Sequence, residues 1–185
     1  IMKDATFIGK LFYKFAITIG SKRKNYQING DKVPVYLELM FWLCDQLVLK
    51  NIKKLIGLHK CRYALSGAAP ISPELINWYL SLGLDMREGW GMTETAGVGT
   101  AFYTRQIKQG WVGTAIKGSE VQIAKDGEIL FKGPGVFCGY LNKPEQTKET
   151  IQDGWLHTGD VGQLDNYGNL KITDRKKDII ITAGG

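Results

Sequence analysis

The 185-residue sequence contains no run of about 18 apolar residues, the minimum length of a membrane-spanning helix. Its most apolar stretch, Val33–Leu49, is interrupted by Glu38 and Asp45. The first ten residues contain no signal-peptide cleavage pattern. Because residue 1 is isoleucine and not methionine, we expect the chain to be an internal piece of a longer protein.

Cysteine is scarce. Cys44, Cys61 and Cys138 are odd in number and lack the spacing of metal ligands, so they predict buried thiols in a reducing cytoplasm. There is no internal repeat or low-complexity segment, and a hydrophobic fraction of 44% is enough to form a packed core. The length allows one domain or slightly more.

Positive charge is concentrated at one end of the chain. The net charge is +6, and residues 1–60 carry 11 basic against 4 acidic side chains. A solvated helical face is the simplest interpretation of such a bias. Contact with an anionic membrane surface or with nucleic acid is the alternative.

Hydrophobic residues recur with a helical period in the first 60 residues and predict helices over Ala5–Gly20 and Val33–Leu58. The basic segment Ser21–Pro34 between them is predicted to be a polar connector. A strand, a helix and a second strand follow, and Ser72 has the properties of the helix N-cap. The three elements are Arg62–Leu65, Pro73–Leu82 and Leu84–Glu88.

This order predicts a parallel βαβ unit, in which ligands bind at the carboxyl ends of the strands. The loops Ser66–Ala69 and Gly89–Gly97 leave their strands at that end, so we expect them to meet in one crevice. From Trp111 onward the hydrophobic period is two, and two hairpins are predicted, one of them around Asp126-Gly127.

The predicted fold class is therefore α/β, with helices before the parallel βαβ unit and an antiparallel β subdomain after it. We expect a basic helical segment at 1–60, a nucleotide-binding βαβ part at 61–110 and a β-rich subdomain at 111–173.

Three glycines surround Thr93-Glu94 in the segment Arg87–Gly97. Glycine weakens both helices and strands but permits a backbone to approach a ligand closely. A threonine hydroxyl can donate to a phosphate oxygen, and a carboxylate can hold a magnesium ion that also binds phosphate. A glycine-rich turn with an exposed Thr-Glu pair is the structural alternative.

Two further positions suggest nucleotide chemistry. Asp160 follows Thr158-Gly159 in a predicted turn between strands, where a carboxylate can accept both hydroxyls of a ribose. Arg175, in the charged run Asp174–Asp178, can form a forked contact with ribose or phosphate. A turn aspartate bound to local amides and a solvated charged turn are the corresponding structural interpretations.

Five motifs in order, SGAAPIS, GWGMTE, GEILFKGPGVFCGY, GWLHTGD and GNLKITDRKKDIIITAGG, span Ser66–Gly185. Together they resemble the adenylate-forming family, which contains acyl-CoA synthetases, adenylation domains of peptide synthetases and luciferases. Residues 1–60 look most like the long-chain fatty acyl-CoA synthetase branch. The resemblance implies a ligase that uses ATP, Mg²⁺, a fatty acid and coenzyme A.

The resemblance also implies site residues. Thr93 would contact phosphate, Glu94 would hold Mg²⁺, and both would be catalytic. Asp160 and Arg175 would hold the nucleotide. Residues 174–185 would form a hinge, at Lys177, and the beginning of a truncated small C-terminal domain. The remaining residues implied for the nucleotide and acyl site are Gly67, Ala68, Ala69, Glu88, Gly89, Trp90 (as a ring stacking on adenine), Gly91 and Met92.

The chain departs from the family pattern in two ways. It contains no Ser/Thr/Gly-rich phosphate loop ending in Pro-Lys-Gly, and it lacks the domain that would carry the catalytic lysine. We therefore expect the isolated chain to be inactive. The alternatives are a basic module that binds membrane or nucleic acid, and an adenylating enzyme for an aryl or amino acid. We expect a cytoplasmic protein with peripheral membrane contact through residues 1–60, and no nucleic-acid partner.

Overall fold

A computed structural model of the chain describes residues 6–69, 71–104 and 107–176. The chain divides into two compact units, Ile1–Arg87 with Thr104–Ile107, and Glu88–Tyr103 with Lys108–Gly185. The first unit is mainly helical, and the second is mainly β-structure. The predicted hinge residue Lys177 lies outside the described residues.

The first helix, α1, extends from Phe7 to Asn29. It begins at Thr6, whose hydroxyl accepts from the amide of Gly9, and ends at Gly30, which has a left-handed φ of 78°. The predicted end at Gly20 is wrong, because most of the predicted connector is helical. Lysine, arginine and glutamine favour helices.

Tertiary contacts also favour the longer helix. Lys24 is only 8% exposed, and its ammonium donates to Oδ1 of Asn77 at 2.6 Å. Burial lowers the pKa of Lys24. A lysine in a basic run indicates a solvated position from sequence, so this contact could not be predicted.

The second helical segment is continuous but not uniform. Helix α2 (Val35–Cys44) is followed by a π-helical turn (Asp45–Leu49) and by helix α3 (Lys50–Leu55). The prediction of one helix over Val33–Leu58 is therefore correct in location, but it missed the π-helical turn that divides the segment. A single π turn inserts one residue, which a hydrophobic period cannot indicate over so short a stretch.

The core of the first unit joins these helices to the βαβ segment. Its buried members are Ala16, Ile19, Leu37, Cys44, Leu49, Ile52, Leu82 and Leu84. All three cysteines are free thiols, as predicted, but only Cys44 is buried, whereas Cys61 is half-buried and Cys138 is exposed. No helix in the described part of the chain has the length and apolarity needed to cross a bilayer.

The βαβ segment forms as predicted. Strand β1 (Ala64–Ser66), helix α4 (Pro73–Ser81) and strand β2 (Met86–Trp90) follow in order, and β1 lies beside β2. The hydroxyl of Ser72 caps α4 by accepting from the amide of Leu75 at 3.2 Å. The observed strands lie about two residues later than the predicted ones.

In the second unit, the end of β2 pairs antiparallel with β3 (Thr100–Ala101), which pairs with β4 (Thr114–Ala115). A second sheet has the order β5-β6-β8-β7, with β9 on β8. Its strands are β5 (Glu120–Ile123), β6 (Glu128–Lys132), β7 (Ile151–Gln152), β8 (Trp155–Leu164) and β9 (Leu170–Arg175). The short helix α5 is Pro144–Thr150.

Both predicted hairpins are confirmed. Gly127, with φ of 86°, turns the chain between β5 and β6, and the second hairpin joins β8 to β9. The core of this unit is Trp90, Ile129, Phe131, Leu156 and Leu170. The predicted α/β fold class, a βαβ unit followed by antiparallel β-structure, is confirmed.

The location of Asp160 differs from the prediction. It lies inside the ten-residue strand β8 and not in a turn. Glu128 pairs with Val161, and Leu130 pairs with His157. Between these two pairs β8 advances by four residues and β6 by only two, so β8 contains a bulge. This bulge explains the turn-like sequence, because Gly159 takes a φ of 74° there. Arg175 similarly belongs to β9 and not to a turn beyond it.

Candidate functional site

The carboxylate of Asp160 lies between an indole and a guanidinium. Its Oδ2 accepts from Nε1 of Trp90 at 2.8 Å, and its Oδ1 accepts from Nε of Arg175 at 3.0 Å. Asp160 is 8% exposed, whereas the Arg175 side chain is 63% exposed. A carboxylate has about four acceptor positions, so each oxygen can accept another donor such as a hydroxyl.

The sheet positions these groups. Asp160 and Arg175 are register partners on β8 and β9, and Asp160 lies within the bulged stretch of β8, between His157 and Val161. Burial alternates along β8 up to Gly162, so Asp160 belongs to the same buried set as Leu156 and Thr158. The hydroxyl of Thr158 donates to the carbonyl of Ile129 at 2.7 Å and accepts from the amide of Asp160 at 3.1 Å.

Trp90 is a core residue. It is 5% exposed, and its ring packs edge-to-face on Phe131 with centroids 6.0 Å apart. A Cβ on Gly99 would lie 2.7 Å from the indole, so the backbone is close against the ring. The expectation of an open stacking platform for adenine is therefore corrected, because the indole is packed and directs its N–H to Asp160.

Thr93 and Glu94 lie in the loop between β2 and β3. Residues Thr93–Thr95 form a 3₁₀ turn, and the hydroxyl of Thr95 accepts from the amide of Met92 and donates to its carbonyl, both at 3.0 Å. Thr93 is exposed and Glu94 is half-buried. A Cβ on Gly91 would lie 2.1 Å from the carbonyl oxygen of Gly97, so glycine is needed there.

Glu94 is contacted by Tyr140, the last residue of the motif GEILFKGPGVFCGY, for which the sequence predicted no role. The hydroxyl of Tyr140 donates to Oε1 of Glu94 at 2.6 Å. This hydrogen bond, together with burial and the negative charge of Glu94, raises the pKa of Tyr140, so the phenol stays protonated near neutral pH. The amide of Phe137 also donates to the carbonyl of Glu94 at 2.9 Å.

Glu128, in the same motif, is a second residue for which the sequence predicted no role. It is 5% exposed, and its carboxylate contacts Nδ1 of His157 at 3.0 Å, the amide of Gly159 at 2.9 Å and Nζ of Lys176 at 2.8 Å. Burial raises the pKa of Glu128, but the hydrogen bonds from Lys176, His157 and Gly159 outweigh it, so its pKa is lowered. Lys176 also pairs with Asp126.

The other predicted site residues are distributed over both units. Gly67, Ala68 and Ala69 follow β1 in the first unit, where Ala68 has a positive φ of 64°. Glu88 and Gly89 lie in β2, in the second unit. Oε2 of Glu88 accepts from the amide of Gly110 at 3.3 Å, and burial raises the pKa of Glu88 against the opposing effect of that bond.

The structure thus brings together Asp160, Arg175 and Trp90, and it separately pairs Glu94 with Tyr140. Within residues 6–69, 71–104 and 107–176, no three His, Cys, Asp or Glu side chains cluster as a metal site would require. Any cation at Glu94 would therefore need oxygen ligands from a bound molecule and from water, as magnesium accepts from nucleotide phosphates.

Comparison with known sequences identifies relatives. A family model described as AMP-binding enzyme matches residues 27–141. A Mycobacterium tuberculosis protein bearing the name fatty-acid–CoA ligase fadD11 is 41% identical over 172 residues, which cover 92% of this chain and 30% of that protein. The long-chain-fatty-acid–CoA ligase ACSBG2 of Gallus gallus is 44% identical over 151 residues, or 78% of this chain and 20% of that protein.

Solved structures of coenzyme A synthetases resemble this chain as well. The o-succinylbenzoate coenzyme A synthetase MenE of Bacillus subtilis, in complex with ATP and a magnesium ion, superposes with a TM-score of 0.62 at 33% identity, covering 67% of this chain and 28% of that one. A Mycobacterium tuberculosis fatty acyl CoA synthetase superposes with a TM-score of 0.59, also at 33% identity, covering 67% and 27%.

This chain spans 30% of the length of the fadD11 protein and 20% of that of ACSBG2. The fold of the matched region is nevertheless shared with the solved structures. Since the family match at residues 27–141 takes in more than half of its residues, the chain belongs to the family of AMP-binding enzymes.

Proposed function

We propose that this chain is part of a fatty acid–CoA ligase. The carboxylate of a fatty acid attacks the α-phosphorus of ATP and displaces pyrophosphate, and the resulting acyl-adenylate passes its acyl group to the thiol of coenzyme A with release of AMP. The names of the relatives support this reaction. The observation that carries the proposal is the buried Asp160 carboxylate, held by Trp90 and Arg175 and retaining acceptor capacity on both oxygens.

Each proposed role follows from the chemistry of the side chain. Asp160 accepts the two ribose hydroxyls, and the exposed guanidinium of Arg175 adds a donor for ribose or phosphate. The exposed hydroxyl of Thr93 donates to a phosphate oxygen. Displacement at phosphorus requires alignment and charge neutralisation more than a protein nucleophile.

Glu94 is the proposed magnesium ligand, with the ion arriving as part of the nucleotide substrate. Oε1 of Glu94 is bound by Tyr140, and the half-buried carboxylate has further acceptor capacity. One carboxylate is sufficient because magnesium usually retains water and phosphate oxygens. The complex of MenE with ATP and a magnesium ion is consistent with this assignment.

The remaining roles are proposals of the same kind. We assign the backbone of Gly67, Ala68 and Ala69 to the adenine side, and Glu88, Gly89, Gly91 and Met92 to the nucleotide and acyl pocket. Trp90 supports Asp160 from the core. Residues 174–185, including Lys177, are proposed as the hinge to a further domain that completes the site.

The test is nucleotide affinity of the protein that carries this chain. Asp160→Ala should weaken ATP–Mg²⁺ binding by at least tenfold in calorimetry, which corresponds to about 1.4 kcal/mol. Asp31→Asn, which removes a negative charge from an exposed position in the first unit, is the matched control. Unchanged affinity in both Asp160→Ala and Thr93→Ala would contradict the site assignment.

The acyl substrate is tested separately. Pyrophosphate release with palmitate, an aryl acid and an amino acid distinguishes a fatty-acid ligase from the two alternative adenylating activities. A rate that is highest with the aryl or the amino acid would replace the fatty acid in the proposal. For the isolated 185-residue chain we expect no release with palmitate, since the sequence lacks the phosphate loop.

We also propose a cytoplasmic location with peripheral membrane contact through residues 1–60. Helix α1 exposes a wide apolar stripe beside the exposed Lys10 and Lys14, and apolar faces flanked by lysines bind anionic bilayer surfaces. The stripe consists of Phe7 (83% exposed), Ile8 (65%), Leu11 (60%), Phe12 (55%) and Phe15 (51%).

Vesicle sedimentation tests this contact. Binding to vesicles containing phosphatidylglycerol should exceed binding to phosphatidylcholine vesicles, should fall with salt, and should fall in Phe7→Ser. Tyr167→Ser, at a position 85% exposed in the second unit, is the control. Equal loss in both variants would contradict the proposal, as would steeply salt-dependent binding to DNA without vesicle binding.

A further inference from the structure

Glu94 and Tyr140 are joined by a short hydrogen bond across 46 residues of sequence. The phenolic hydroxyl donates to Oε1 of Glu94 at 2.6 Å, and both side chains are half-buried. A donor to a carboxylate forms a charge-assisted hydrogen bond, which is stronger than one between neutral groups. The bond therefore restricts the conformations available to the Glu94 side chain.

Tyr140 is itself fixed by its surroundings. Its amide donates to Oγ1 of Thr147 at 2.9 Å, and its ring packs edge-to-face on Phe137 with centroids 4.8 Å apart. The amide of Phe137 donates to the carbonyl of Glu94 at 2.9 Å. Backbone and side chain of Glu94 are thus both tied to the segment Phe137–Tyr140.

The segment packs closely against Thr147. Gly139 has a positive φ of 145°, and a Cβ there would lie 2.7 Å from the methyl group of Thr147. Thr147 in turn donates from Oγ1 to the carbonyl of Lys143 at 2.9 Å. Because the Tyr140 side chain is already held in place, it loses little conformational entropy when it binds Glu94. It can therefore restrict the Glu94 side chain at a small entropic cost.

We propose that Tyr140 is a positioning residue that holds the Glu94 carboxylate in the orientation required to bind magnesium on the nucleotide. The inference rests on the proposed function. One oxygen of Glu94 is committed to the phenol, and the rest of the acceptor capacity of the carboxylate serves the cation.

Tyr140→Phe isolates the hydroxyl, since it preserves the ring that packs on Phe137. In the protein carrying this chain, we expect kcat for pyrophosphate release at saturating ATP–Mg²⁺ to fall about three- to tenfold, the loss expected for one hydrogen bond. KM for ATP should change less than kcat. Tyr103→Phe, which removes a hydroxyl that accepts from the amide of Lys117, is the matched control.

Measuring the effect of Tyr140→Phe in a Glu94→Gln background distinguishes two roles of Tyr140, namely positioning of the Glu94 carboxylate and general support of the loop. A positioning role predicts that Tyr140→Phe has little further effect on kcat once the carboxylate is gone. A fall in kcat of the same size in both backgrounds, or no fall in the wild-type background, would overturn the inference. A thermal midpoint within about 2 °C of wild type would confirm that the variant is folded.

The proposed function can fail separately. A wild-type protein that neither binds ATP–Mg²⁺ nor releases pyrophosphate would overturn the proposed function and this inference together. A wild-type protein whose nucleotide binding depends on Asp160, but whose kcat is the same in Tyr140→Phe, would overturn only the role of Tyr140.

Discussion

The indole N–H of Trp90 donates to Oδ2 of Asp160 at 2.8 Å, although the two residues lie 70 positions apart in the sequence. Trp90 ends β2, and Asp160 lies in the bulged part of β8. This contact links the strand that leads into the Thr93-Glu94 loop to the sheet that carries Asp160. Its partners are both buried, so the bond contributes to the stability of the second unit as well as to the candidate site.

Replacing Trp90 with phenylalanine should destabilise the second unit by about 2 kcal/mol, because it removes one donor from a buried carboxylate and leaves space beside Phe131. The measurement is the free energy of unfolding in urea, followed by circular dichroism. Trp42→Phe, at a position 57% exposed in the first unit, should have little effect. Similar losses in the two variants would contradict a special role for the bond to Asp160.

Replacing Glu128 with alanine should cost about 2 kcal/mol of unfolding free energy. The change leaves the amide of Gly159 and the imidazole of His157 without their buried acceptor, whereas the partly exposed Lys176 keeps its pair with Asp126. The same denaturation measurement tests this. Glu120→Ala, on the exposed edge of β5, is the control, and a loss there as large as at Glu128 would contradict the prediction.

The lowered pKa of Glu128 also predicts a pH dependence. A carboxyl whose pKa is lower in the folded state contributes stability above its unfolded pKa of about 4.3, and this contribution is lost as pH falls through the folded pKa. The difference in unfolding free energy between wild type and Glu128→Gln should therefore be constant near pH 7 and shrink below about pH 4. A difference that grows in acid would contradict the assigned direction.

Two glycines of the Thr93-Glu94 loop should respond differently to alanine. A Cβ on Gly91 would lie 2.1 Å from the carbonyl oxygen of Gly97, whereas a Cβ on Gly97 would meet nothing within 4 Å and only its φ of 103° is unfavourable. We expect a loss of about 3 kcal/mol for Gly91→Ala and about 1 kcal/mol for Gly97→Ala in urea denaturation. Equal losses would show that the close approach to Gly97 does not require glycine at position 91.

Local structure could be predicted wherever a few adjacent residues decide it. Ser72-Pro73 begins helix α4 by a hydroxyl cap, and Asp126-Gly127 turns the chain between β5 and β6. Predictions failed where contacts between distant residues contribute. Helix α1 continues past Gly20, where the contact of Lys24 with Asn77 adds to the local helix preference, and Thr158–Asp160 is part of a strand because β8 pairs on both sides.

By itself, the sequence determined the α/β class, the hairpins and the order of motifs that identify an AMP-binding enzyme, since each depends on residues close together in the chain. Only the tertiary structure decided that Trp90 supports Asp160, that Tyr140 contacts Glu94 and that Glu128 gathers His157, Gly159 and Lys176. Strand register and a bulge set these distances, and both arise from packing between segments that are remote in sequence.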